Sequence, residues 1–280
     1  MQKLYIVNNK FSNPKNYHLR NDKMAFGIST SCLYPLETEK SLDTLGKIGV
    51  RSCEVFLNSP SETTLDFAEI LNKIRDEYGM KISAVHPFSS FAETYMLFSA
   101  YRRRFDDMLE FYKRNFEVTA ALGADFSVIH GALTGAKISD AEYFERFARL
   151  IEEGRKSGVT VCHENVNRHL CESPDFIDKM KNFLGEDFRL VFDVKQAVRA
   201  GFSPIEFAEK FKNDIVHIHI SDHTETSDCL PPGKGLFDFG KLIEVMNSAE
   251  YKGDYIIELY RENFGNTDEL KNSLSYMQSL

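Results

Sequence analysis

Eight short apolar segments rich in β-branched residues recur along the chain, and each is followed by a stretch with helical periodicity. The strand-like segments are MAFGIST (24–30), SCEVFL (52–57), KISAVHPF (81–88), DFSVIHG (125–131), VTVCHENV (159–166), FRLVFDV (188–194), DIVHIHISD (214–222) and DYIIELY (254–260). Helices are expected at 37–48, 62–78, 92–122, 139–156, 174–184, 204–212, 238–249 and 267–279. Ser139, Ser173 and Ser203 stand where N-caps belong, and the last two are followed by proline at the first helical position. Glycine turns (KIGV, EYGM, ALGA, KSGV) lead into several of the strands. Strand and helix alternating at a spacing of about 33 residues imply parallel βαβ units, and eight such units close a (β/α)8 barrel.

No Pro/Gly/Ser-rich linker divides the chain, so one barrel domain is expected over 24–280, with residues 1–23 as an N-terminal extension. An open doubly wound sheet is the weaker alternative, because no GxGxxG or GxxxxGK follows any strand. The formal charge of −8 argues against nucleic acid as a partner, which calls for a basic surface. Five cysteines (32, 53, 162, 171 and 229), odd in number and without a CxxC pair, read as reduced thiols. The first residues lack the apolar core of a signal peptide and no run of about 18 apolar residues suggests a membrane span, so a cytoplasmic protein is expected.

In such a barrel the C-terminal strand ends line the active-site mouth. Those positions read Gly27 to Ser29, Glu54, His86, His130, Glu164, Asp193, His219 and Glu258. Strand alternation supports this list. Asp193 shares a face with Val191 while Leu190 and Phe192 turn to the helices. Glu258 shares a face with Ile256, and His219 turns inward once Ile218 and Ile220 face outward. Any one of these residues alone has an ordinary structural explanation, but Asp, Glu and His residues converging on one mouth do not. Buried carboxylates in close company repel, and burying each unpaired costs several kcal/mol. A divalent cation removes both penalties, and Asp, Glu and neutral His are its ligands. His219 is therefore expected to ligate a metal, with His217 one layer deeper as a supporting or core histidine and Cys162 in the core.

Other residues near the mouth leave two readings open. Glu54 contacts substrate or neutralises an arginine. Phe88, with Phe91, walls a sugar ring or caps the barrel. Lys234 in PPGKG reaches a substrate anion or is solvated. The YRRRF run at 101–105 binds phosphate or forms a solvated helix face.

The motifs SAVHP, VIHG, HENV, VFDVKQA, HIHISD, LPPGKGLFDF and YIIELY, in this order and at the strand ends, resemble the xylose isomerase-like barrel superfamily. That group includes ketose 3-epimerases, sugar-phosphate isomerases, inosose dehydratases and endonuclease IV. The resemblance implies that Glu164, Asp193, His219 and Glu258 hold one divalent ion (Mn²⁺, Mg²⁺, Co²⁺ or Zn²⁺). It also implies that His86 and His130 offer a second metal or substrate site beside Glu164. The sequence departs from the endonuclease pattern at Gln196, Ser227 and Cys229, where that pattern has third-metal ligands; Cys229, Asp228 and His223 are the substitutes at hand. Gln196 also replaces a substrate-holding histidine of the 3-epimerases and is a candidate substrate contact, as is His223.

The expected activity is metal-dependent isomerisation or epimerisation of a small sugar or sugar phosphate, with Glu164 and Glu258 transferring the proton beside a carbonyl. Metal-dependent dehydration of a polyol-derived ketone and endonuclease IV-like cleavage of abasic DNA are the alternatives. Self-association of the chain is compatible with either.

Overall fold

A computed structural model describes residues 25–280, so the expected extension at 1–23 lies outside the described residues. Eight parallel strands close a barrel in sequence order. They are β1 (Phe26–Ser29), β2 (Ser52–Phe56), β3 (Lys81–His86), β4 (Phe126–Ile129), β5 (Thr160–Glu164), β6 (Leu190–Asp193), β7 (Ile215–Ile220) and β8 (Tyr255–Ile257). Between β1 and β4 run α1 (Thr38–Lys47), α2 (Leu65–Tyr78), α3 (Ser90–Met96) and α4 (Arg102–Ala121). Between β4 and β7 come α5 (Asp140–Lys156), α6 (Pro174–Leu184), α7 (Val194–Arg199) and α8 (Pro204–Phe211). Then α9 (Phe239–Ser248) precedes β8 and α10 (Thr267–Gln278) follows it. Ser139, Ser173 and Ser203 do cap α5, α6 and α8, each accepting a main-chain N–H two or more residues on.

Alternation along each strand separates two apolar layers. Leu190, Phe192, Ile218, Ile220, Ile257 and Leu259 join the large layer between strands and helices. Ala84, Phe126, Val128, Cys162 and Val191 form a smaller cluster of their own, the plug inside the barrel beneath the mouth. Gly27 is required at the β1–β2 contact, since a Cβ there would run into the carbonyl of Ser52.

Two elements differ from expectation. The helix expected over 92–122 breaks into α3 and α4, because the buried guanidinium of Arg146 donates to the carbonyls of Leu97 (2.6 Å) and Ser99 (2.7 Å). Those carbonyls lose their helical partners and find a charged donor instead. The strand read as 188–194 stops at Asp193, and α7 starts at the next residue. The Asp193 side chain caps it by accepting the Gln196 N–H at 3.0 Å.

The lower end of the barrel is closed by one carboxylate. Asp254, 2% exposed, accepts Ser52 Oγ (2.7 Å) and the Ala25 N–H (3.2 Å) and pairs with Lys81 Nζ (3.2 Å). It thereby ties the start of β8 to the starts of β1, β2 and β3. Replacing Asp254 by Ala strands these donors and should cost on the order of 2–3 kcal/mol. Denaturant unfolding of Asp254→Ala should show that loss, and a variant as stable as the parent would refute this role.

Candidate metal centre

Glu164 and Asp193 end β5 and β6, His219 is the last residue but one of β7, and Glu258 follows β8 directly. One ligand atom from each lies within 4.8 Å of the others. His219 Nδ1 is 3.3 Å from Glu164 Oε1, 3.5 Å from Glu258 Oε2 and 3.9 Å from Asp193 Oδ2. The opposite ring nitrogen, Nε2, is 2.9 Å from Glu54 Oε2. With Nε2 engaged by Glu54, Nδ1 is the ring nitrogen turned to the three carboxylates, the atom open to a metal once it gives up its proton.

Glu54 is thus placed differently from a substrate contact. It is fully buried, and its oxygens take Ser29 Oγ (3.2 Å), His217 Nε2 (3.2 Å) and His219 Nε2. Its carboxylate orients His219 and engages one ring nitrogen of the deeper His217, whose Nδ1 is buried without a partner. Although Glu54, His217 and His219 also cluster closely, these hydrogen bonds leave no call for an ion among them.

Two neighbours fix Asp193. Asn165, one residue past the end of β5, accepts the Asp193 N–H (2.7 Å) and donates to the Asp193 carbonyl (3.0 Å), continuing the ladder where the strands stop. The α7 cap holds Oδ1, which leaves Oδ2 for the quartet, buried and without a hydrogen bond. Glu258 is held at Oε1 by Ser31 Oγ (3.4 Å). Lys195, 2% exposed, brings its ammonium to 3.2 Å from Asp193 Oδ2 and 3.1 Å from Glu258 Oε2.

A second cluster adjoins the first. His130 Nε2 is 2.7 Å from His86 Nε2 and 2.9 Å from Glu164 Oε2. His86 Nδ1 lies 3.2 Å from the Pro87 carbonyl, which marks Nε2 as the free nitrogen. His130 is set by the turn at Gly131 (φ 80°), whose N–H donates to the buried Glu93 Oε2 at 2.5 Å. A Cβ at Gly131 would collide with Tyr143 and His163, so the turn admits no side chain. Glu164 therefore serves both clusters, Oε1 toward the quartet and Oε2 toward the histidine pair.

The remaining candidates lie around this centre. Gln196 accepts the Asn167 N–H at 3.1 Å, which fixes its amide beside the mouth. Phe88 is half-buried and packs its ring on Phe111 (5.4 Å) and Phe91 (6.4 Å). His223 and Lys234 lie on the loop after β7, which Asp222 gathers by accepting the N–H groups of His223, Gly233, Gly235 and Phe237. Lys234 is exposed there, and His223 Nε2 is buried without a partner. Arg102, Arg103 and Arg104 are exposed in the first turn of α4. Asp228 is committed to a two-pronged pair with Arg199 (2.6 and 3.0 Å). Burial pushes the Cys229 thiol up, so the substitute third-metal donors form no cluster among the described residues. Asn165, Lys195 and Glu93 were not foreseen as site residues; each acts through a neighbour whose position only the fold reveals.

Burial and mutual charge set the protonation of the centre. Burial pushes Asp193 up to about 7; Lys195 opposes that rise, and Glu164 and Glu258 add to it. Burial also raises Glu164, but His130, His219 and His86 outweigh it and hold the carboxyl well below the usual range. For Glu258 too burial raises the carboxyl, and Lys195 and His219 outweigh it to bring it below the usual range. For His219, burial lowers the imidazole, and Glu54, Glu258 and Glu164 overcome this to raise it. A cation must therefore displace the protons held by Asp193 and His219. Mn²⁺ affinity should climb as pH rises through about 7, where Asp193 gives up its proton, rather than through the ordinary carboxylate range near about 4. Mn²⁺ titrations between about pH 5.5 and 8 check this, and a flat profile there would contradict it.

A profile for the family described as xylose isomerase-like TIM barrel matches residues 42–280. Among curated proteins the chain is similar to the inosose dehydratases of Histophilus somni (25% identity over 140 residues) and Clostridium beijerinckii (24% over 137). These matches cover 42% of this chain and 46% and 45% of the relatives, less than half the length of either. Among solved structures it is similar to a D-tagatose 3-epimerase-like protein, with 20% identity and a TM-score of 0.76 over 91% of this chain and 96% of that one. A sugar phosphate isomerase/epimerase from Parabacteroides distasonis gives 20% identity and a TM-score of 0.69 over 93% and 96%. At such identities the structural likeness speaks for the fold alone. No described helix is long and apolar enough to cross a membrane.

Proposed function

The chain belongs to the xylose isomerase-like TIM barrel family, and from that membership and its strand-end ligands we infer a divalent-cation-dependent isomerase or epimerase of a sugar or sugar phosphate. One observation carries this reading. Asp193 Oδ2 is buried without a hydrogen bond and lies with His219 Nδ1 and an oxygen each of Glu164 and Glu258 in a cluster of ligand atoms that a cation would satisfy. The donor set, three carboxylates and one imidazole, suits Mn²⁺, Mg²⁺ or Co²⁺, and Zn²⁺ accepts it too. Glu164, Asp193, His219 and Glu258 would hold the ion. When bound, it supplies Lewis-acid stabilisation for the negative charge that grows on a carbonyl oxygen as the adjacent C–H is deprotonated.

The proton itself moves between side chains of this protein. Glu164 on β5 and Glu258 after β8 stand three strands apart in the closed ring, so they flank the mouth from different sides. One carboxylate takes the proton from one face of the substrate. The other returns it to the opposite face for epimerisation, or to the neighbouring carbon for isomerisation. Glu258 is the more accessible, with 14% of its side chain exposed against 2% for Glu164. Gln196 and Phe88 supply an amide and an apolar ring near the sugar, His223 and Lys234 a polar rim.

Dehydration of a polyol-derived ketone begins with the same proton abstraction, and the likeness to inosose dehydratases supports it as an alternative outcome. The cluster of His86, His130 and Glu164 supports a second reading, an endonuclease IV-like phosphodiesterase with more than one ion. Gln196, Ser227 and Cys229 in place of third-metal ligands, and the charge of −8, weigh against it.

Metal analysis after anaerobic purification should find one ion per chain, with His219→Ala and Asp193→Ala each lowering occupancy. Full occupancy in both variants would remove the quartet, and two or three ions would favour the phosphodiesterase. Solvent deuterium exchange beside the carbonyl, across ketoses and their phosphates, tests the chemistry. Glu164→Gln and Glu258→Gln should each slow exchange by about 100-fold or more, with a smaller effect on binding. Turnover without exchange in the parent, or full exchange in both variants, ends the proton-transfer reading.

A further inference from the structure

Among the described residues Lys195 is the one lysine or arginine that touches the quartet, and it touches it at two ligand oxygens. Its ammonium lies 3.2 Å from Asp193 Oδ2 and 3.1 Å from Glu258 Oε2, the oxygens that also lie nearest His219 Nδ1 on these residues. The other oxygen of each carboxylate is occupied elsewhere, Asp193 Oδ1 by the α7 cap and Glu258 Oε1 by Ser31. Neither carboxylate can turn a fresh oxygen to the ion while leaving the first to the lysine without breaking one of those bonds.

The lysine is also caged. Its nitrogen is 4.9 Å from the centroid of the Tyr260 ring. The hydroxyl of that ring accepts Arg199 Nη1 at 2.8 Å, and Arg199 is locked to Asp228. A stem that starts in α7 and ends under Tyr260 has no solvated rotamer within easy reach.

We propose that Lys195 is a positioning residue that acts as the built-in counter-cation of the quartet, keeping it assembled when empty and weakening its hold on a divalent ion. The formal charges make the point. With the carboxylates ionised and His219 neutral, as ligation requires, three carboxylates and a dication sum to −1, and Lys195 brings the loaded centre to zero. The ammonium and the ion draw on the same two oxygens, so each lowers the other's affinity. A site built this way exchanges its metal more readily than the bare quartet would. The proposal rests on the quartet being a metal site, as inferred above.

The test compares Mn²⁺ binding to the parent, Lys195→Met, Lys195→Gln and Lys195→Arg, reading free Mn²⁺ by electron paramagnetic resonance, alongside thermal unfolding in chelator. Removing the charge in the Met or Gln variant should tighten Mn²⁺ binding by about tenfold or more, while Arg stays within about threefold of the parent. The Met and Gln variants should also unfold at lower temperature in chelator and gain more from added Mn²⁺ than the parent does. The Gln variant retains a hydrogen-bond donor, so it serves should Met fail to fold. A parent that binds Mn²⁺ while both folded neutral variants bind it equally or more weakly overturns the proposal. A parent that binds no Mn²⁺ overturns the metal reading beneath it.

Discussion

Like charge forced together in a dry place is the constraint on which the upper half of this barrel is organised. Three carboxylates and a histidine end four adjacent strands or strand extensions, and the closed ring gives them no room to separate. Two of the carboxylates are held on one side by an uncharged donor of the fold, a helix cap for Asp193 and a serine for Glu258, while the other side of Glu164 meets His130. The unsatisfied side then faces the centre. Natural proteins rarely leave buried carboxylate oxygens unpaired, and where they do, the deficit points to a ligand. The same residues that raise the energy of the empty centre therefore define what it binds.

The two ends of the barrel answer this constraint differently. At the bottom, Asp254 meets a main-chain N–H, a hydroxyl and an ammonium, and the result is closure of the ring between β8, β1 and β2. At the top, Glu54 solves the same problem with two histidines and a serine, and converts burial into orientation of His219. Between them the apolar plug of Phe126, Val128, Cys162 and Val191 keeps the ends apart. Stability and chemistry thus occupy opposite faces, as the (β/α)8 architecture generally permits.

Much of this was legible from alternation. The period of two along β5, β6 and β7 sorted inward from outward residues, so the positions of Glu164, Asp193 and His219 could be read from the chain before any contact was known. Contacts made by long side chains were not legible. Lys195 follows Asp193 by two residues and, on a continuing strand, would have shared its face; only because α7 starts at Val194 does its ammonium fold back under Tyr260. Glu54 occupies a strand end like the ligands, and nothing in its own segment tells that His217 and His219 on β7 will consume its oxygens. The break between α3 and α4 depends on Arg146, over forty residues away, and local periodicity carries no trace of it. Strand parity is a local property, whereas the end of a flexible side chain is a tertiary one.

Glu164 links the number of ions to the kind of chemistry. Its Oε1 faces His219, and its Oε2 faces His130 and His86. With a single ion in the quartet, Oε2 retains a lone pair beside an imidazole that can pass on or stabilise a proton, and Glu164 can work as a base. If a second ion drew on Oε2 together with the two histidines, both oxygens of Glu164 would be ligands and its basicity would be lost. Proton transfer would then fall to Glu258 alone, which could still carry a proton between neighbouring carbons on one face but could not invert a centre with a second carboxylate opposite. Occupancy of the histidine pair would thus decide whether Glu164 can act as a base, and with it whether epimerisation by two opposed carboxylates is open to this centre.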